Sequence, residues 1–330
     1  MARTLGMPVN RSGWVPIRLI RQGGEGWVDW CRLGDARFTE PFFDLTIEAA
    51  QRRPFNTLFT HRTPLGELGR WYDESPGMAP AGFIFHMSRC GSTLISQMLA
   101  ALPDNVVVSE AAPLDRIARA DWLPEATRAP GLRWMVSALG QRRLGCETRY
   151  FIKFDSATAV ALPFLRRVFP DVPWTFVIRD PEEVLISHLR DPAAAMSPGM
   201  ITDVNLVGVP PHEARSLSPE EYAARAIGRL CDCAVAGMDE RGLVVNYTEL
   251  PDVLWGGVAR HFGIEFSAEE RARMEEVAGF HAKRPRQKFR ADGESKRLEV
   301  SDTVREAAER WIGPGYRELE RIRAGIGKRF

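Results

Sequence analysis

The chain has 330 residues, 45% of them hydrophobic and 26% charged, enough to bury one large domain or a core with a smaller appendage. Lys and Arg number 44 against 43 Asp and Glu, and a formal charge of +1 excludes a globally basic surface for nucleic acid or anionic membranes, so any anion site must be local. No stretch reaches the roughly 18 apolar residues of a membrane span, and the N-terminal segment lacks the apolar run of a signal peptide.

Residues 1–79 read as a small mixed subdomain: strand-like WVPIRLI and GWVDWCRL, then the aromatic cluster RFTEPFFDLTIEA, closed by the turn-rich DESPGMAPAG. From residue 80 onward short apolar runs alternate with longer amphipathic ones: GFIFHM, STLISQMLAAL, NVVVSE, RYFIKFD, ATAVALPFLRRVF, PWTFVIRD and PEEVLISHLR. That alternation predicts an α/β domain, a parallel sheet of about five strands flanked by helices, over residues 80–330. Residues 191–217 are rich in Pro, Gly and Ala with weak periodicity, an irregular excursion placed to act as a lid. A helix is expected from about Pro219 to Met238, then the buried strand GLVVNY, then helical patterns near 251–262, 267–280 and 302–324, with a charged loop over 281–297. The five cysteines, Cys31, Cys90, Cys146, Cys231 and Cys233, form neither an even disulfide framework nor a CxxC pair, so a reducing, cytoplasmic setting without a bound metal is expected.

The stretch FIFHMSRCGSTLISQML, residues 83–99, breaks an apolar strand into a small polar turn and resumes with helical spacing. A strand feeding a helix through such a turn aims backbone N–H groups and the positive end of the helix dipole at one spot. Gly91 permits close backbone approach, Ser92 and Thr93 add hydroxyls, and Arg89 adds a permanent forked cation for phosphate or sulfate oxygens. The plain structural role of the same residues is a helix N-cap by Ser92 or Thr93. The pattern GxxxxGK[ST] is absent, since no Lys precedes Ser92 and Cys90 stands before the glycine, which disfavours ordinary nucleoside triphosphate hydrolysis.

In FHMSRCGSTL the turn resembles the 5'-phosphosulfate loop of sulfotransferases that use 3'-phosphoadenosine 5'-phosphosulfate, often Pro-Arg/Lys-Ser-Gly-Thr-Thr, and further matches follow in family order over about residues 81–280. LPDNVVVSEAAPLDRI is similar to the branch that includes tyrosylprotein sulfotransferases and bacterial relatives, where a Glu after the second strand is the catalytic base; that position is Glu110. RYFIKFDS resembles the third-strand end of that branch, with Lys153 at the place of a cofactor- or sulfonate-contacting Lys. TFVIRDPEEVLISHLR resembles the 3'-phosphate motif, an Arg at a strand end and a Ser eight residues on, here Arg179 and Ser187. LVVNYTELPDVLWGGVARHFGI resembles a late strand and helix that usually read Arg-Tyr-Glu-Asp-Leu, and 281–297 sits where relatives often close over the cofactor. The chain departs from the family at His86, Ser88, Cys90, Asn246 and Thr248, which loosens the placement within the family more than the fold.

The resemblance implies a P-loop-type fold and transfer of a sulfuryl group to a hydroxyl or amine, leaving adenosine 3',5'-bisphosphate. It implies a cofactor cradle of Arg89, Cys90, Gly91, Ser92 and Thr93 with Arg179 and Ser187 on the 3'-phosphate, and chemistry by Glu110, Arg89 and Lys153, with His86 as the rival base. Each residue has a bland alternative: Glu110 as a helix-start carboxylate before Pro113, His86 as a structural hydrogen-bonder, Lys153 as a surface lysine, Cys90 as a small buried side chain, and the cations of HAKRPRQKFR as a solvated loop. Lys153 stands inside an apolar strand, where an unpaired charge is expensive. An atypical phosphotransferase and a non-catalytic nucleotide- or partner-binding protein remain alternatives. A small-molecule or peptide acceptor is expected; neither its identity nor the oligomeric state is legible.

Overall fold

The computed structural model describes residues 12–200, 205–288 and 299–326. The chain opens with β1 (Trp14–Gln22) and β2 (Glu25–Arg32), an antiparallel hairpin in which Gln22 faces Glu25. Its two-residue turn is Gly23-Gly24, both at positive φ, a conformation that glycine adopts without a Cβ penalty and that matches the twist of the flanking strands. β3 (His61–Pro64) pairs with the other edge of β2. Between them a helix, Phe43–Gln51, turns its buried Phe43, Ile47 and Ala50 inward.

Five short apolar runs form the main sheet: β4 (Gly82–His86), β5 (Asn105–Ser109), β6 (Arg149–Lys153), β7 (Trp174–Ile178) and β8 (Gly242–Asn246). All pair in parallel in the order β5-β6-β4-β7-β8. Helices cover both faces of a parallel sheet, so its strands are continuous apolar runs, and β4, β5 and β7 are buried along their whole length. The predicted α/β class with a five-stranded parallel sheet is the fold observed, and the small N-terminal unit is built on an antiparallel three-stranded sheet. The N-terminal sheet does not stand apart: Trp14, Trp30 and Trp71 belong to the same contiguous core as Phe83, Ile152 and Phe176.

β4 is central, and the chain leaves it first to one side of the sheet and then to the other. The crevice at such a switch point, beyond the carboxyl ends of the strands, is where open α/β sheets bind ligands.

Two stretches differ from expectation. The charged loop over 281–297 begins as a hairpin, β9 (Phe280–His281) against β10 (Arg284–Lys288). The run RPRQK holds no apolar alternation to read as a strand; residues 289–297 lie outside the described residues. The excursion 191–217 is irregular as expected, with short helical turns at Ala194–Met196 and Pro211–Ala214 and residues 201–204 outside the described ones. Among the described residues no helix is long and apolar enough to cross a membrane.

Candidate functional site

Leaving β4, the backbone takes positive φ at Ser88 (74°), Arg89 (49°) and Gly91 (89°), then enters the helix Ser92–Ala100. Two consecutive non-glycine residues in the left-handed region are costly, and such strain persists only where the surrounding structure imposes it. Gly91 is required twice over. Besides its φ, a Cβ there would lie 2.6 Å from Cδ2 of Tyr247. The first N–H groups of the helix have no intrahelical acceptor and, with the dipole, make its start a place for an anion. Cys90 is fully buried and its thiol donates to the carbonyl of Val177 at 3.1 Å, while burial pushes it up to about 11; the side chain ties the turn to β7.

The carboxyl ends of the neighbouring strands deliver the other expected residues to the same place. A cavity of about 570 Å³ is lined by His86, Arg89 to Thr93, Glu110, Arg179 and Ser187. Lys153 does not line it; with no solvent exposure, it lies directly behind Glu110, and Nζ donates to Glu110 Oε1. Glu110 follows β5 at φ 55°, its N–H bonded to the carbonyl of Lys153 at 2.6 Å. Burial alone would raise its carboxyl, but Lys153 and His86 outweigh that and hold it far below the usual carboxylate range.

His86 is fixed on both sides. Its Nδ1 accepts the N–H of Ser88 at 3.1 Å, so the ring hydrogen sits on Nε2, which is 3.1 Å from the carbonyl of Phe154 and 3.5 Å from Glu110 Oε1. Burial and Lys153 keep the ring neutral by lowering its pKa. With Nδ1 occupied and Nε2 carrying hydrogen, the imidazole has no free lone pair in this arrangement.

Arg179 ends β7 with little exposure. Its Nε donates to Glu183 Oε2 at 2.8 Å, and its guanidinium stacks 4.1 Å from the ring centre of Tyr247. Ser187 is two turns along the helix Pro181–Arg190 and donates to the carbonyl of Glu183 at 2.8 Å. Glu183 therefore links the two residues of this pair. Arg89 reaches across the mouth to Asp191, donating to its backbone carbonyl and, at 2.8 Å, to Oδ2.

Several lining or neighbouring residues were not singled out in the sequence, apart from Lys283, one of the cations of HAKRPRQKFR. Phe42 enters from the N-terminal unit, and its ring centre is 5.4 Å from Lys153 Nζ and 5.7 Å from Lys283 Nζ. Lys283, from the turn of the β9–β10 hairpin, is pushed down to about 8 by burial and by Arg89. Asp155 and Ser156 complete the wall beside Glu110. His188, next to Ser187, is 1% exposed, and neither ring nitrogen meets a partner among the described residues; burial, Arg89 and Lys283 push it down to about 3. Of the cations in 281–297 only Lys283 has a described side chain.

No family model matches the sequence and no curated protein matches it. Solved structures do show likeness. A sulfotransferase from Mycobacterium avium matches at 16% identity over 76% of this chain and 81% of its own, with a TM-score of 0.45. A sulfotransferase from Alicyclobacillus acidocaldarius matches at 14% identity over 75% and 96%, TM-score 0.42. A retinol dehydratase solved with androsterone and the inactive cofactor PAP matches at 16% identity over 78% and 88%, TM-score 0.41. Likeness of this degree carries no argument about chemistry, which rests on the residues of the cavity.

Proposed function

We propose that the chain is a sulfotransferase acting from 3'-phosphoadenosine 5'-phosphosulfate on a hydroxyl or amine. The observation that carries the reading is the meeting, in one cavity, of an anion-cradling turn that lacks the Walker lysine, a second cationic corner at Arg179 and Ser187, and a carboxylate held ionised by a buried lysine. The fit rests on the turn: positive φ at three of four residues and a glycine with no room for a Cβ leave backbone N–H groups, Arg89 and two hydroxyls toward one anion. When bound, the nucleotide would supply an activated sulfuryl group at that turn.

Arg89, with the N–H groups of Gly91 to Thr93, would hold the 5'-side oxygens and meet the charge that grows on the leaving phosphate, in the way fixed dipoles and cations serve other group transfers. For Arg89 this means exchanging Asp191 for the ligand. Arg179 and Ser187 would hold the 3'-phosphate. Glu110 would accept the proton of the attacking group. Lys153 stays behind Glu110, outside the cavity wall, and fixes that carboxylate in place. His86, with no free lone pair, keeps Glu110 in place through Nε2–H.

Calorimetric titration with adenosine 3',5'-bisphosphate, against 5'-AMP and ATP with Mg²⁺, tests the reading. Selective binding of the bisphosphate is expected, and Arg179→Ala is expected to weaken it by at least tenfold, the worth of a charge-assisted contact, while leaving 5'-AMP little changed. Preference for ATP, or equal losses for both nucleotides in the variant, contradicts it.

A further inference from the structure

A second carboxylate stands beside Glu110 and has no part in the transfer as described. Asp155 lies two residues beyond Lys153 and shares the cavity wall with Ser156 and Phe42. Its Oδ1 caps the turn Ser156–Ala161, accepting the N–H of Ala157 at 2.9 Å, and lies 3.6 Å from Arg119. Its Oδ2 accepts no hydrogen bond among the described residues, and 33% of the side chain is exposed.

The support beneath it is rigid. The N–H of Asp155 donates to Oδ1 of buried Asp115 at 3.1 Å, and the Thr158 hydroxyl donates to that same oxygen at 2.8 Å while accepting from Arg119 at 3.0 Å. Burial and the negative charge of Glu110 both disfavour the ionised form of Asp155. A fixed carboxylate with one oxygen unanswered, in a cavity wall, is a group waiting for a donor. Apolar surface lies in the same wall, because Phe42 lines the cavity and its ring centre is 5.4 Å from Lys153 Nζ, which is bonded to Glu110.

We propose that Asp155 selects the acceptor. Granted the sulfuryl-transfer reading on which this rests, the acceptor carries a second hydrogen-bond donor, hydroxyl or ammonium, close to its nucleophilic group, on an apolar frame that lies against Phe42. Glu110 takes the proton of the reacting group and Asp155 accepts the bond from its neighbour. An acceptor with a carboxylate at that position is refused, since two fixed carboxylates face it.

Four probes on one phenyl frame test this: benzyl alcohol, 1-phenylethane-1,2-diol, 2-amino-2-phenylethanol and mandelate. Binding to the full chain is read by saturation-transfer NMR, with and without adenosine 3',5'-bisphosphate, for the wild type, Asp155→Asn and Asp155→Glu. Asn keeps a cap for Ala157, and Glu keeps the charge while displacing the oxygen. The diol or the amino alcohol is expected to bind about tenfold more tightly than benzyl alcohol, the worth of one bond to a charged group, and mandelate more weakly than any. In Asp155→Asn the amino alcohol loses its advantage and the diol keeps part of it, which tells an ammonium from a hydroxyl; in Asp155→Glu both fall. Equal binding of benzyl alcohol, diol and amino alcohol, a preference that survives both variants, or binding by none of the probes overturns the proposal. A preference that persists where the bisphosphate does not bind overturns the donor assignment instead and leaves Asp155 as the selecting group.

Discussion

Lys153 has no solvent exposure, and a cation in that position depends on its partner. Removing one member of a buried pair strands the other charge, which costs about 3–5 kcal/mol, more than the pair itself contributes. Lys153→Met is therefore expected to lower stability by about that amount in chemical denaturation. The double variant Lys153→Met with Glu110→Gln should recover much of it, because no charge is left stranded. Glu110→Gln alone is expected to slow turnover by about 10²–10⁴, the usual share of a general base, with bisphosphate binding unchanged. Of these residues Lys153 was the most legible in the sequence, since a lysine inside FIKFD has to be answered by something. Its answer, Glu110, was legible as a candidate base through the family resemblance and not as the partner of Lys153. The hydrogen on His86 was not legible at all, because it is set by the N–H of Ser88, a contact made only when the turn takes positive φ.

At the scale of elements, the helix Ala112–Ala118 and the turn Ser156–Ala161 are joined by Asp115, which is 4% exposed and pushed up to about 8 by burial and by Asp155. A carboxyl whose pKa is raised on folding stabilises the fold fully below its unfolded value near 4 and loses that contribution as pH rises toward 8. Asp115→Asn keeps an acceptor for Thr158 and for the N–H of Asp155 and carries no charge. Its melting temperature relative to the wild type is expected to rise between about pH 4 and pH 8 and to level off above; a difference flat with pH would show that Asp115 stays ionised. The elements themselves were legible where one period dominates: five apolar runs became five strands, and PEEVLISHLR and Pro219–Ala236 became helices. The hairpin β9–β10 was not, since a run rich in Arg and Lys carries no apolar periodic signal. Asp155 was missed for a related reason. It reads as an ordinary cap after a strand, and only the position of the next strand shows that its free oxygen meets a cavity.

For the whole molecule, strand existence was legible and strand order was not. Parallel neighbours exchange no turn between them, so nothing local records that β4 sits between β6 and β7. The same holds for the N-terminal unit: its strands could be read, while its share in the common core and the reach of Phe42 into the cavity follow from packing alone. The order of the strands also has a temporal side. β4 pairs Ile84 with Lys153 and Phe83 with Trp174, contacts far apart along the chain, and such pairings form late because long loops must close first. On the proposed reading, a nucleotide can be held only once these distant pairings have brought the cavity together. Adenosine 3',5'-bisphosphate at about one hundred times its dissociation constant should slow unfolding by about a hundredfold, the full stabilisation of about 2.7 kcal/mol, and leave the refolding rate unchanged. Stopped-flow traces with and without the ligand would separate the two limbs. A chain built this way is protected by its ligand only after it is finished, so the steps before completion run without that help.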